Sequence, residues 1–239
     1  MLAAYSAVVA HLSTASVDGV IPTSSIRRLR TLIRGEINLL RDASRKVISK
    51  NLPAAAEFGE KTMRDLLQGQ VGASRFTVLT QKTADVNETV ARQLEDVGYD
   101  GKPITDSIDL ITTGAYAAIV SYVSTSILRD ETIQRINRRV RQHFTGEKVK
   151  SLRPPITSLF PNLARTTRTE YAFAYSEAQK EFARRVPQVT GFRWFLSAAH
   201  PRPDICDTLA GHVYPPNARE LGIFPAHVNC FCFLEPVFA

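Results

Sequence analysis

The chain has 239 residues, of which 44% are hydrophobic, so it can bury a real core, which argues against wholesale disorder. A formal net charge of +7 and a pI near 9.5 favour acidic partners, nucleic acid or an acidic protein surface, without choosing between them. No unbroken apolar run of about eighteen residues occurs and no basic residue precedes the short apolar start, so neither a membrane span nor a secretory signal is expected.

Residues 1–15 are small and apolar and predict a short helix, broken by Asp18-Gly19 and Ile21-Pro22. Thr23 or Ser24 can cap a second helix over about 24–50, whose apolar residues Ile26, Leu29, Ile33, Leu40 and Val47 recur at helical spacing. Arg27, Arg34 and Arg41 stand seven apart and form one stripe, with Arg30 and Arg45 close by. The stripe reads either as a solvated face or as a contact to phosphates or an acidic surface. Pro53 is expected to restart a helix to about Gln68, Gly69 to Ser74 to form a loop, and another helix to cover 77–97. From Asp106 a helical pattern runs to about Phe144, with a break near Asp130. Its first half (Ile108, Ile111, Ala115, Ala118, Ile119, Tyr122, Val123, Ile127) looks buried, and its second half is basic through Arg129, Arg135, Arg138, Arg139 and Arg141, extended by Lys148, Lys150 and Arg153. No aromatic residues interleave these cations, so base stacking is not expected. Pro154-Pro155 marks a boundary, giving an extended helical body over 1–153 and a C-terminal module over 154–239. The module opens with a helix over 157–186 and continues with the bulky Phe192-Arg193-Trp194-Phe195-Leu196, which suits a strand. The fold class is mainly α with a small α+β tail.

The three cysteines all follow Asp204, an odd number crowded at one end, which is a poor disulfide framework and fits thiolate chemistry in a reducing compartment. His200, Asp204, Cys206 and Asp207 lie on one segment, and Pro225-Ala226-His227-Val228-Asn229-Cys230-Phe231-Cys232 on another. Thiolate and imidazole are the donors zinc prefers, four of them in a tetrahedron at a structural site. Cys230 and Cys232, two apart, point to one side of an extended segment, and His227 sits in a turn just before them. The favoured ligand set is Cys206, His227, Cys230 and Cys232, with His200 and Asp204 in reserve and Asp207 as a ligand or supporting partner. A metal-free tail with buried cysteines is the alternative. Neither flank is a CxxC, and no HExxH and no HxE paired with a PCxxC occurs, so no catalytic residue is assigned.

An Arg168-Thr169-Glu170 helix, the Trp194 strand, Asp204-Ile205-Cys206-Asp207, Gly211, and the Pro225-to-Cys232 ending come in an order that resembles the phage head morphogenesis proteins, or Mu F-like minor head proteins. The resemblance covers residues 160–237. Val228 stands where the family commonly has a second proline, and Phe231 where it has arginine. The resemblance implies a non-enzymatic protein of the virion, assembled in the host cytoplasm. It implies portal or major capsid protein as partner, contact with packaged DNA in some members, and an oligomeric state imposed by portal or capsid symmetry. Neither a membrane nor a small-molecule substrate is expected. Arg168 and Glu170 are expected to be structural, through an ion pair or hydrogen bonds to the tail. A metal-dependent hydrolase or nuclease acting on DNA, and a protein ejected with the genome, are the competing readings.

Overall fold

The computed structural model describes residues 2–71, 76–77, 81, 83–147, 158–200 and 203–239, and Glu95 by its backbone alone. In chain order the described helices are α1 (Leu2–Thr14), α2 (Ile26–Gln70), α3 (Val86–Asp96), α4 (Ile104–Leu128), α5 (Ile133–Thr145), α6 (Leu159–Arg185) and α7 (Ile205–Leu209). The strands are β1 (Val189–Phe195), β2 (Val213–Tyr214) and β3 (Phe233–Phe238), in an antiparallel sheet of order β2-β1-β3. The architecture is mainly α with a small α+β tail, as the sequence predicts. Two compact units are present, Met1–Val47 with Thr105–Ala164, and Ile48–Ile104 with Arg165–Ala239. Lys148, Lys150, Arg153 and the Pro154-Pro155 boundary lie outside the described residues.

In the first unit, Leu29, Ile33 and Leu40 of α2 and Ile108, Ala115, Ile119, Val123 and Ile127 of α4 are buried. Val47 is not: it is 56% exposed, and Ile48 is buried in its place. A strict seven-residue spacing drifts about 20° per heptad on a straight helix, so the series from Ile26 leaves the buried face by Val47. The pattern from Asp106 to Phe144 is broken where expected, with Asp130 at φ 52 between α4 and α5. The Ile133 N–H that opens α5 donates to Gly19 O at 2.9 Å. Phe144 closes the α5 end against Tyr5 and Phe160, at centroid distances of 5.6 and 5.3 Å. By length and composition α4 could cross a membrane, with mean hydropathy 1.3 over an eighteen-residue window. The sequence expectation counted unbroken apolar runs, whereas this average admits the helix's threonines, serines and glycine. Its aliphatic residues nevertheless form much of the first unit's core.

Pro53 does not restart a helix; it lies inside α2. Proline in a helix interior removes one backbone hydrogen bond and costs about 3 kcal/mol. Ile48, Leu52 and Ala56 are buried on the flanking turns. Burial of an isoleucine or leucine side chain contributes about 1.5–3 kcal/mol, so packing of this segment offsets the loss.

In the second unit the sheet, α6 and the end of α2 share one core. It holds Met63, Leu67, Phe182, Val186, Phe192, Trp194, Phe224 and Leu234 together with Cys206, Cys230 and Cys232. Gly191 in β1 allows β2 to approach: a Cβ there would lie 2.7 Å from Tyr214 O. Gly59 in α2 does the same for α6, since a Cβ would lie 2.3 Å from Tyr175 O. Pro236 in β3 is tolerated because β3 is an edge strand.

Candidate metal centre

Two segments deliver the thiols. Asp204 caps α7: its Oδ1 accepts the Cys206 N–H at 2.7 Å, while Asp207 Oδ2 accepts the Asp204 N–H at 2.7 Å. This reciprocal cap fixes Cys206 in the first turn of a five-residue helix. Cys230 and Cys232 precede β3, after a turn in which Asn229 adopts φ 65. All three thiols are buried and unoxidised, with Cys206 Sγ and Cys230 Sγ 3.6 Å apart and every pair of sulfurs within 4.8 Å. The trio can hold a metal ion.

His227 falls in a second group, with Asp204 and Cys206, whose ligand atoms also lie within 4.8 Å of one another. The four favoured ligands therefore form two groups that share Cys206. His227 Nδ1 lies 3.1 Å from Val228 O. His227 Nε2 is shut off from solvent and faces Asp204 Oδ2 at 3.1 Å. His200 pairs with Asp207 at 3.0 Å and stands 4.0 Å from Asp204, in a third group on the solvent side.

Electrostatics oppose thiolates in the protein alone. Burial, then the neighbouring sulfurs, push the Cys206 thiol far up, and burial also raises Cys230. Asp204 is held below the usual carboxylate range by the Cys206 N–H, and Asp207 by the Asp204 N–H and His200.

The Arg168-Thr169-Glu170 triplet binds three different groups. Arg168 Nη1 donates to Asn229 Oδ1, and its guanidinium stands over Phe231 at 5.0 Å. Thr169 Oγ1 accepts the Asn229 N–H at 2.8 Å. Glu170 accepts the Tyr99 N–H at 3.0 Å, outside the tail. The sequence reading missed Thr169 and Asn229, although asparagine before a Cys-x-Cys is a signal, being one of the few residues that accept the left-handed region. Trp194, singled out from the sequence, is fully buried and packs edge-on to Phe224 at 4.8 Å.

The arginines belong to the first unit. Residues 26–50 carry eight lysines and arginines against two acids, nearly the whole formal excess of the chain. Arg34 stacks over Tyr116 at 5.1 Å, Arg41 pairs with Asp42 at 2.9 Å, and Arg27 is exposed. Arg34, Asn38, Arg41, Thr112, Thr113 and Tyr116 line a cleft of about 240 Å³. On α5, Arg135 pairs with Glu131 at 3.5 Å, Arg139 stands over Tyr122 at 5.8 Å, and Arg138 is exposed.

No family model, curated protein or solved structure matches the chain.

Proposed function

We propose that this chain is a phage minor head protein of the head-morphogenesis type, a non-enzymatic structural component acting at or near the portal vertex. The observation that carries this reading is the convergence of buried Cys206, Cys230 and Cys232 from the two segments whose residues carry the resemblance.

Zinc is the ion that fits the donors, being borderline soft and content with thiolate and imidazole in a closed tetrahedron. Cys206, Cys230 and Cys232 hold it, and His227, which is grouped with Cys206, supplies the fourth donor. A bound divalent cation deprotonates thiols outright, which reverses the burial that otherwise keeps them neutral. Folding of the tail and metal binding then become one equilibrium. The nearby carboxylates favour a structural over a hydrolytic site: Asp204 is spent on capping α7, and Asp207 on the Asp204 N–H and His200. In this reading the first unit faces portal, inner capsid surface or packaged DNA with its arginine-rich helix.

Mass spectrometry and cross-linking of purified heads, from a phage carrying the gene, test the reading. The chain is expected in a few copies per head, cross-linked to portal or capsid protein, and its deletion should leave defective heads. Its absence from purified heads, with normal infectivity on deletion, would end the proposal.

A further inference from the structure

A cavity in the second unit has the chemistry of a receptor for a cationic side chain. It measures about 420 Å³ and is lined by the aromatic residues Tyr99, Phe173 and Phe224, by Asp100, and by Gly222, Ile223 and Ala226. Tyr99 and Phe173 meet edge to face, with centroids 6.4 Å apart at 78°. Neither lysine nor arginine is among the lining residues. Phe173 already receives one cation: the Lys180 Nζ stands 6.0 Å from its ring centre, tied to Glu177 and, at 3.0 Å, to Leu221 O. That ammonium is wholly buried and lies outside the cavity lining.

The charge on the cavity lining is negative, carried by the Asp100 carboxylate, although the chain as a whole is basic. Aromatic faces attract a cation through their quadrupole, and a carboxylate at the rim adds a directed acceptor. A guanidinium suits this combination better than an ammonium. It is planar and weakly hydrated, and it can stack on a ring while its fork reaches a carboxylate.

We propose that this cavity receives an arginine side chain presented by a partner protein, stacked among Tyr99, Phe173 and Phe224 and paired with Asp100. The inference goes beyond the head-protein reading and requires neither that identity nor a bound metal.

Backbone amide NMR spectra of the full chain, titrated with ethylguanidinium, ethylammonium or the neutral isostere ethylurea, test it. Ethylguanidinium should give saturable shifts confined to the residues that line the cavity, and ethylurea none. Asp100→Asn, at an exposed position where the amide oxygen can still accept the Lys102 N–H, should weaken binding about threefold, the scale of a solvent-exposed ion pair. Tyr99→Leu should weaken it about threefold as well, the scale of one cation–π contact. No saturable shift, an equal response to ethylurea, or indifference to both substitutions would overturn the proposal. An equal response to ethylammonium would overturn the assignment to arginine.

Discussion

Thr169 joins helix α6 to the segment that carries two of the three thiols: its Oγ1 accepts the Asn229 N–H at 2.8 Å while donating to Arg165 O at 3.0 Å. Asn229 sits directly before Cys230 and adopts a left-handed conformation at φ 65. One hydroxyl thus fixes the backbone that aims the Cys-x-Cys pair.

Removing that hydroxyl without changing shape isolates its contribution. Thr169→Val leaves the Asn229 N–H without its acceptor, at a cost of about 1–3 kcal/mol. Asn229→Gly should be tolerated, whereas Asn229→Val should cost at least about 1–2 kcal/mol for the left-handed backbone. Denaturant unfolding of the three variants measures the order. A harmless Thr169→Val would mean that Arg168 alone holds the turn.

Trp194 is the only tryptophan in the chain and is buried in the same core as the three cysteines, so its emission reports on the tail alone. Chelation of the proposed zinc should shift that emission to the red and abolish its near-ultraviolet dichroism, while the helical signal of the first unit persists. Cys230→Ser should reproduce the effect. The expected loss is at least about 5 kcal/mol, below the ~10–16 kcal/mol of structural zinc sites because the tail keeps an apolar core of its own. Emission indifferent to chelator, from protein shown to contain no metal, would remove the staple.

Glu170 should make the second unit less stable as pH rises. Burial, opposed by the Tyr99 N–H and helped by Asp100, raises its carboxyl to about 7. Between the ordinary carboxylate range and about 7 the folded state therefore holds a proton that the unfolded state has lost, so stability falls with pH across that window. Discounted for partial solvent access, the change is on the order of 1–2 kcal/mol. Glu170→Gln should flatten this dependence, as read by Trp194 in denaturant titrations at pH 5, 6, 7 and 8.

His143 has the opposite sign, in the other unit. Burial and then Arg139 lower it to about 4, and its Nδ1 has no hydrogen-bond partner among the described residues. From about 6.5 down to about 4 the unfolded state takes up a proton that the folded state refuses, so stability falls as pH falls. His143→Leu should remove that part of the acid sensitivity while leaving the Trp194 transition in place, as helical dichroism against pH would show.

How far the sequence reaches is clear from particular elements. Periodicity locates the buried faces of α2 and α4, because burial repeats with the helical turn. Asp130 marks the α4–α5 break, and the bulky run at Phe192-Arg193-Trp194 marks β1. What stays hidden depends on distant partners. The passage of α2 through Pro53 depends on packing at Ile48 and Leu52, and the place of β2 depends on the bare backbone of Gly191. The candidate site shows the same division. Spacing identifies Cys206, Cys230, Cys232 and His227, but the assignment of His227 to a group with Asp204 depends on the cap of α7. Thr169 lies sixty residues from Asn229, and no local pattern joins them.

The arginine face yields the last prediction. Arg27, Arg34 and Arg41 stand on the most basic stretch of the chain, where eight cations over residues 26–50 meet only two acids. Arg34 stacks on Tyr116, which leaves its N–H edge available in the cleft it shares with Arg41. If that face tracks a DNA backbone, the logarithm of the affinity for duplex must fall linearly with the logarithm of salt concentration, with a slope of about −0.9 for each phosphate neutralised. Changing all three arginines to alanine should then make the slope shallower by about 2–3 and weaken binding equally across unrelated sequences. Stability should change little, because Arg27 is exposed and the Arg41–Asp42 pair is a surface one, a class of pair contributing roughly 0–1 kcal/mol. Fluorescence anisotropy with two unrelated duplexes between 50 and 300 mM salt reads the slope directly. An unchanged slope in the triple variant would assign the stripe to solvent or to an acidic protein surface.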